Sequence, residues 1–309
     1  QMCIRDRPIS YGWSMRKRLL AATLTAALIA APLQTANAEP APVTGVELGT
    51  TIDGAVAVNS RFDFTEAYTI GLPQLKKLRG EMWDINPPFN GVPLREAAFA
   101  AGLKTKEQYV NAVNIDANLT RIAVQRAAEQ YATGGYWGEL SHDRVRPNDT
   151  WTATIDGKQS WAEILAAGKM ADAISQGWGY GELDALKRAN GKSNPRNGHL
   201  HTLLNPKFHY YGFGTVNVYE GRQFYDFSAG QASEHALGGA ALPEGKQALN
   251  LYRPARDGEK PTGIQEYKEP PTGPLGGGSS SDARTIIGII VSIVSLLSVL
   301  AGFAQQFMR

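Results

Sequence analysis

Three observations predict an α+β fold. Between residues 62 and 190, apolar side chains recur at helical spacing behind recognisable caps. From 208 to 227 the chain turns aromatic and β-branched, with a Glu220-Gly221 turn that reads as a hairpin. Between the two lie a polar turn at 193–198 and the stop signal Asn205-Pro206. Helices followed by a terminal hairpin make an α+β class, and with non-globular sequence at both ends the 309 residues predict one core of ordinary size.

Met15-Arg16-Lys17-Arg18 opens a signal peptide over residues 15–38: a basic start, an apolar run at 19–33 and a small-x-small site at Ala36-Asn37-Ala38. Residues 1–14 before it read as upstream sequence or an artefact. Cleavage removes five of the 31 basic residues and one of the 29 acidic ones, which moves the formal charge from +2 to −2. A near-neutral exported chain without a basic run has no electrostatic footprint for nucleic acid, so no such partner is expected. Cys3, the single cysteine, is removed as well. The exported protein then has neither thiol nor disulfide, and its stability rests on its core.

Residues 39–61 read as a leader. Pro73 starts a helix with Leu72, Leu75 and Leu78 on one face and Lys76, Lys77 and Arg79 on the other. A loop follows at 83–93. Thr105 and Gln108 form a capping box, and Asp116 caps a helix whose Leu119, Ile122, Ala123, Arg126 and Ala127 share a face, ended by Gly134-Gly135. Residues 136–158 are loop with one short strand at 151–155 turned by Asp156-Gly157; 160–167 predicts a short helix and 171–190 a long one. After the hairpin, 229–284 reads as a Pro/Gly/Ser-rich linker. Residues 285–304 are uncharged and apolar, ~30 Å long as a helix at roughly 1.5 Å per residue, which predicts a membrane span tethering the domain on the outer face of the envelope. An oligomerising or surface-lying tail is the alternative.

Several of these words resemble a known family. Gly198-His199-Leu200-His201-Thr202-Leu203-Leu204-Asn205-Pro206, followed by Gly212-Phe213-Gly214, resembles the last signature of the CAP superfamily (SCP domains) of cysteine-rich secretory, antigen-5 and pathogenesis-related-1 proteins. Ser141-His142-Asp143-Arg144 resembles the Ser-His-x-Arg stretch of bacterial members, with Val145 extra and Asp149 in place of a glycine. Ala162-Glu163-Ile164-Leu165-Ala166 is similar to Gly-Glu-Asn-Ile/Leu-Ala, and Trp178-Gly179-Tyr180-Gly181-Glu182 to Trp-Tyr-x-Glu with additional glycine. Leu75-Lys76-Lys77-Leu78-Arg79 resembles the family's first-helix word. The resemblance covers residues 62–228. It implies an α-β-α sandwich with a small antiparallel sheet between helices, of the cysteine-poor bacterial type, with His142, Glu163, Glu182 and His199 gathered in one cleft.

The residues have their own chemistry beside that resemblance. Ile174, Trp178, Glu182 and Leu186 lie four apart, so Glu182 projects from an apolar row, where its charge needs a cation or histidine partner or a route to water. Glu163 has two readings: a cleft residue, or the last member of a helix capping box, Ser160-Trp161-Ala162-Glu163. His142 and His199 read in isolation as loop and turn residues. His201, His209 and His235 read as structural or exposed, and Trp137, Trp151, Trp161 and Trp178 as core or cleft wall. Ser141-His142-Asp143 is no catalytic triad, because loop neighbours cannot adopt that geometry.

Two imidazoles and two carboxylates can hold a divalent cation such as zinc, with His142, His199, Glu163 and Glu182 as ligands, or pair with each other without metal. The expected function is a surface-tethered binding module for a lipid, glycan or protein ligand. Alternatives are a divalent-metal-dependent hydrolase and an envelope or adhesion protein. No positioned nucleophile or complete catalytic motif favours an enzyme.

Overall fold

The computed structural model describes residues 43–132, 140–144, 152–220 and 223–270. The elements run β1 (Ala55–Phe62), α1 (Leu72–Ile85), β2 (Pro88–Phe89), β3 (Val92–Pro93), α2 (Leu94–Ala100), α3 (Lys106–Asn111), β4 (Asn114–Ile115) and α4 (Ala117–Glu129). After them come β5 (Ala162–Ala167), α5 (Met170–Asp172), a π-helical segment (Ala173–Tyr180), α6 (Gly181–Arg188), α7 (Gly198–Leu204), β6 (Tyr210–Glu220), β7 (Gln223–Ser233) and β8 (Gln247–Pro254). The main sheet has the antiparallel order β5-β7-β6-β1-β8, with short β4 parallel to β6. Its edge strand at one side is β5.

The sheet is covered on both faces, as the alternation of β6 shows. Tyr211 and Phe213 enter the core built with α1, α6 and α7, whereas Val216 and Val218 join Ala123, Val124 and Ala127 of α4 on the other face. This is the expected sandwich. Gly212 and Gly214 explain how closely α4 lies on the sheet: a Cβ at Gly212 would sit 2.0 Å from the Leu119 carbonyl carbon, and one at Gly214 2.6 Å from the Val124 nitrogen. Only glycine lets the helix rest directly on the strand, one turn from where its Arg126 reaches the candidate site.

The predicted caps form. Thr105 Oγ1 accepts from the Gln108 amide at 3.1 Å while Gln108 Oε1 accepts from the Thr105 amide at 3.2 Å, and Asp116 Oδ1 accepts from the Leu119 amide at 2.9 Å. Helix α4 ends at Glu129 rather than at the glycines expected to stop it. The Asp156-Gly157 turn has both residues at positive φ, closing an isolated bridge between Ile155 and Lys158.

Four expectations need correction. Residues 55–61 of the presumed leader, with Phe62, form β1, and 247–254 of the presumed linker form β8, paired over their whole lengths from Ala55↔Pro254 to Phe62↔Gln247. The domain therefore extends past the 62–228 limits; residues 262–269 also bond back onto β1 through Ala57, Asn59 and Arg61. Residues 162–167 are the strand β5 and not a helix, because the backbone pairs with β7 from Ala162↔Ala232 to Ala167↔Phe227. Arg79, expected on the solvated face of α1, is fully buried; its guanidinium lies 4.0 Å from the Tyr109 ring centroid and donates to the carbonyls of Leu203 and Asn205. It thus caps the end of α7.

The signal peptide expected at 15–38 and the apolar run at 285–304 lie outside the described residues, as do Trp137 and Trp151. Within the described residues no helix is long and apolar enough to cross a membrane.

Candidate functional site

The four residues singled out from sequence form two His–Glu pairs. In the first, His142 Nδ1 meets Glu163 Oε1 at 2.9 Å. The histidine side chain is half exposed, and the carboxylate beneath it is 3% exposed. Glu163 projects from β5, so the strand resolves its two readings: it faces the histidine and caps no helix. Gln231 on the neighbouring β7, its register partner, donates to Glu163 Oε2 at 3.0 Å and accepts from Ser160 Oγ at 2.6 Å.

A buried ion network lies behind this pair. Arg126 of α4 holds Glu163 bidentately, Nε to Oε2 at 2.7 Å and Nη2 to Oε1 at 3.0 Å, and Nη2 also donates to the Ser141 and His142 carbonyls at 2.9 Å. Its Nη1 bonds Glu129, which in turn accepts from Arg144 Nη2 at 2.6 Å and Gln125 Nε2 at 2.9 Å. Arg144 reaches on to the carbonyls of Glu47 and Thr152. One guanidinium therefore fixes both the carboxylate and the loop backbone that presents His142.

Burial alone would raise the Glu163 carboxyl pKa, but the Arg126 charge and the hydrogen bonds from His142, Arg126 and Gln231 outweigh it and hold the value below the ordinary carboxylate range. Burial acts on Glu129 in the same way, and there the Arg144 and Arg126 charges prevail and lower it to about 2. Arg126 loses something to burial, yet the two carboxylates raise its pKa.

The second pair has no arginine. His199 Nδ1 meets Glu182 Oε1 at 2.6 Å, and the Leu200 amide donates to Glu182 Oε2 at 2.9 Å, so the carboxylate grips the histidine and the first turn of its helix together. Ile174, Trp178, Glu182 and Leu186 are all buried, at 0, 2, 9 and 0% exposure, which is the apolar row read from the sequence. The row passes through the π-helical segment. A Cβ at Gly179 would lie 2.6 Å from the Ile174 carbonyl oxygen, and one at Gly181 2.6 Å from that of Gln176. The extra glycines in Trp178-Gly179-Tyr180-Gly181-Glu182 are thus absorbed by a widened turn, which brings Glu182 to His199.

Trp178 links the two halves. Its indole Nε1 donates to the Leu165 carbonyl of β5 at 2.9 Å, and its ring lies 6.2 Å from the His199 imidazole. Strand β5 also packs against α7. Each carboxylate is engaged with a histidine Nδ1, and among the described residues no group of three or more His, Cys, Asp or Glu is placed to hold a metal ion. Glu163 and Glu182 each back one imidazole through Nδ1, so the four residues form two separate pairs, and no four-ligand metal set is shown among the described residues.

The other histidines are structural or peripheral. His201 stacks on Phe89 at 4.4 Å and meets Asn90 Oδ1, with burial lowering its pKa; His209 meets the Ala112 carbonyl; His235 lies edge-on to Trp161. Ser141 Oγ accepts from the Asp143 amide, a local turn and not a triad. Sequence reasoning passed over Arg126, Glu129, Arg144 and Gln231. Arg126 had a signal, since it is a charged residue within an otherwise apolar helical row, the same anomaly that singled out Glu182.

No curated protein matches the sequence. Residues 77–228 match the family model described as CAP: Cysteine-rich secretory protein family. That span includes both pairs and the arginine network between α4 and β5, and the chain belongs to the CAP superfamily.

Proposed function

We propose that the protein is an exported CAP-domain binding module, tethered to the outer face of the envelope by its apolar run at 285–304, which takes its ligand at His142 and His199. One observation carries this reading: both carboxylates are spent on holding imidazoles. Glu163 is neutralised by Arg126 and also accepts from Gln231, while Glu182 accepts from the Leu200 amide, so neither is placed to take a proton from substrate. Each imidazole, held through Nδ1, keeps its Nε2 for a ligand. A lipid, glycan or protein ligand suits imidazoles held in this way.

A divalent-metal hydrolase is the second reading. Carboxylate-backed imidazoles are the usual support of zinc ligands, and a bound zinc would supply an activated water. Two nitrogens are a sparse donor set for it, since hydrolytic zinc sites have three protein ligands.

Metal analysis of the purified exported protein, paired with lipid extraction and a ligand-retention assay, tests the proposal. Retained ligand without turnover supports the module, and a His142→Ala/His199→Ala variant loses the ligand. Stoichiometric zinc with turnover abolished by chelator would replace this reading by the hydrolase. The tether has its own assay: truncation after Ser281 releases the protein into the medium, and unchanged cell association would contradict the anchor.

A further inference from the structure

Trp161 is 53% exposed, an unusual position for the most costly aromatic side chain to hydrate. It is firmly rooted all the same. Its amide donates to the Ala232 carbonyl at 2.9 Å, and the preceding Ser160 is buried and tied through Gln231 to Glu163. Two residues of chain reach at most about 7 Å, so the Trp161 backbone lies no farther than that from the Glu163 backbone, whose carboxylate holds His142. On another side the exposed His235 imidazole stands perpendicular to the indole, at 5.7 Å and 90°.

An exposed flat apolar face with one exposed imidazole set perpendicular to it, and a half-exposed imidazole on the carboxylate two residues along the chain, has the chemistry of one ligand class. A pyranose offers a face of C–H groups for stacking on an aromatic ring and a rim of hydroxyls that both donate and accept, so a hydroxyl can meet a free imidazole nitrogen in either role. A lipid chain calls for a continuous apolar channel, whereas the groups grouped here with Trp161 are polar. We infer that Trp161, with His235 and His142, forms a pyranose-stacking platform on the β5 edge of the sheet, and that the ligand is a glycan. The inference rests on the binding-module reading and narrows its ligand class.

The test is calorimetric and tryptophan-fluorescence titration of the purified exported protein with chitotetraose and cellotetraose. At least one tetrasaccharide binds saturably; Trp161→Ala weakens it about tenfold or more, Trp161→Phe less, and His235→Ala by a few-fold. Because Trp161 and His235 are exposed, the urea midpoints of these variants stay near that of the parent. Failure of both sugars to bind, or equal binding by Trp161→Ala, overturns the platform. A lipid extracted from the same preparation would then leave the binding-module reading standing, whereas absence of any retained ligand would remove both.

Discussion

The His142–Glu163 and His199–Glu182 pairs place the same two groups in contact by different physical means. His142 sits on a loop, and its carboxylate is fixed by a buried lattice of two arginines and two glutamates that spans α4, β5 and residue 47. His199 sits on a seven-residue helix, and its carboxylate is fixed by one backbone amide and by the apolar row around it. A loop has no intrinsic geometry, so charge must supply it. A helix needs only a grip on its first turn and a cap on its last, which Glu182 and Arg79 provide.

The largest expected effect breaks the first pair alone. Arg126→Met leaves Glu163 and Glu129 buried beside the methionine with reduced compensation, a loss of ~3–5 kcal/mol in urea unfolding. The pairs would not differ in kind if Arg126→Met cost no more than Glu182→Gln. Acid sharpens the same contrast. Glu129 has its folded pKa lowered to about 2 from an ordinary 4.5. The unfolded chain therefore binds the proton first, so the contribution is complete above about pH 4.5 and is lost as pH falls through about 2. Its size is on the order of 3 kcal/mol, and Glu163 adds to it in the same direction. Urea midpoints that stay flat from pH 5 to 2 would contradict the network.

Smaller effects belong to the second pair. Gly179→Ala forces a Cβ to within 2.6 Å of the Ile174 carbonyl oxygen and 3.0 Å of Leu78, with an expected cost of ~1–3 kcal/mol and a displaced Glu182. Glu182→Gln leaves the Leu200 amide an acceptor while weakening the bond to His199, costing ~1 kcal/mol. Thermal and urea unfolding of both variants, beside Arg126→Met, gives the ranking directly.

The two regions also differed in how legible they were. Helix periodicity placed Glu182 on an apolar row where its charge needs a partner, and the family resemblance supplied that partner in His199, 17 positions on. The Glu163 side was obscured. Ser160-Trp161-Ala162-Glu163 satisfies a helix-capping pattern, and only pairing with β7, more than 60 residues downstream, makes it a strand. The strands β1 and β8 were hidden for the same reason: they lie on either side of the recognisable helices and pair with each other across nearly 200 residues. Arg79 was misplaced because helical spacing assigns faces without knowing that a cation can be buried against carbonyls and a tyrosine ring.

The two imidazoles are held separately, each gripped through Nδ1 by its own carboxylate. Histidine-selective 1H–15N NMR of the protein and of its Glu163→Gln and Glu182→Gln variants tests this separation most directly. Glu163→Gln is expected to shift the ring nitrogens of His142 with little change at His199, and Glu182→Gln to do the reverse. Comparable shifts of both histidines in either variant would contradict it.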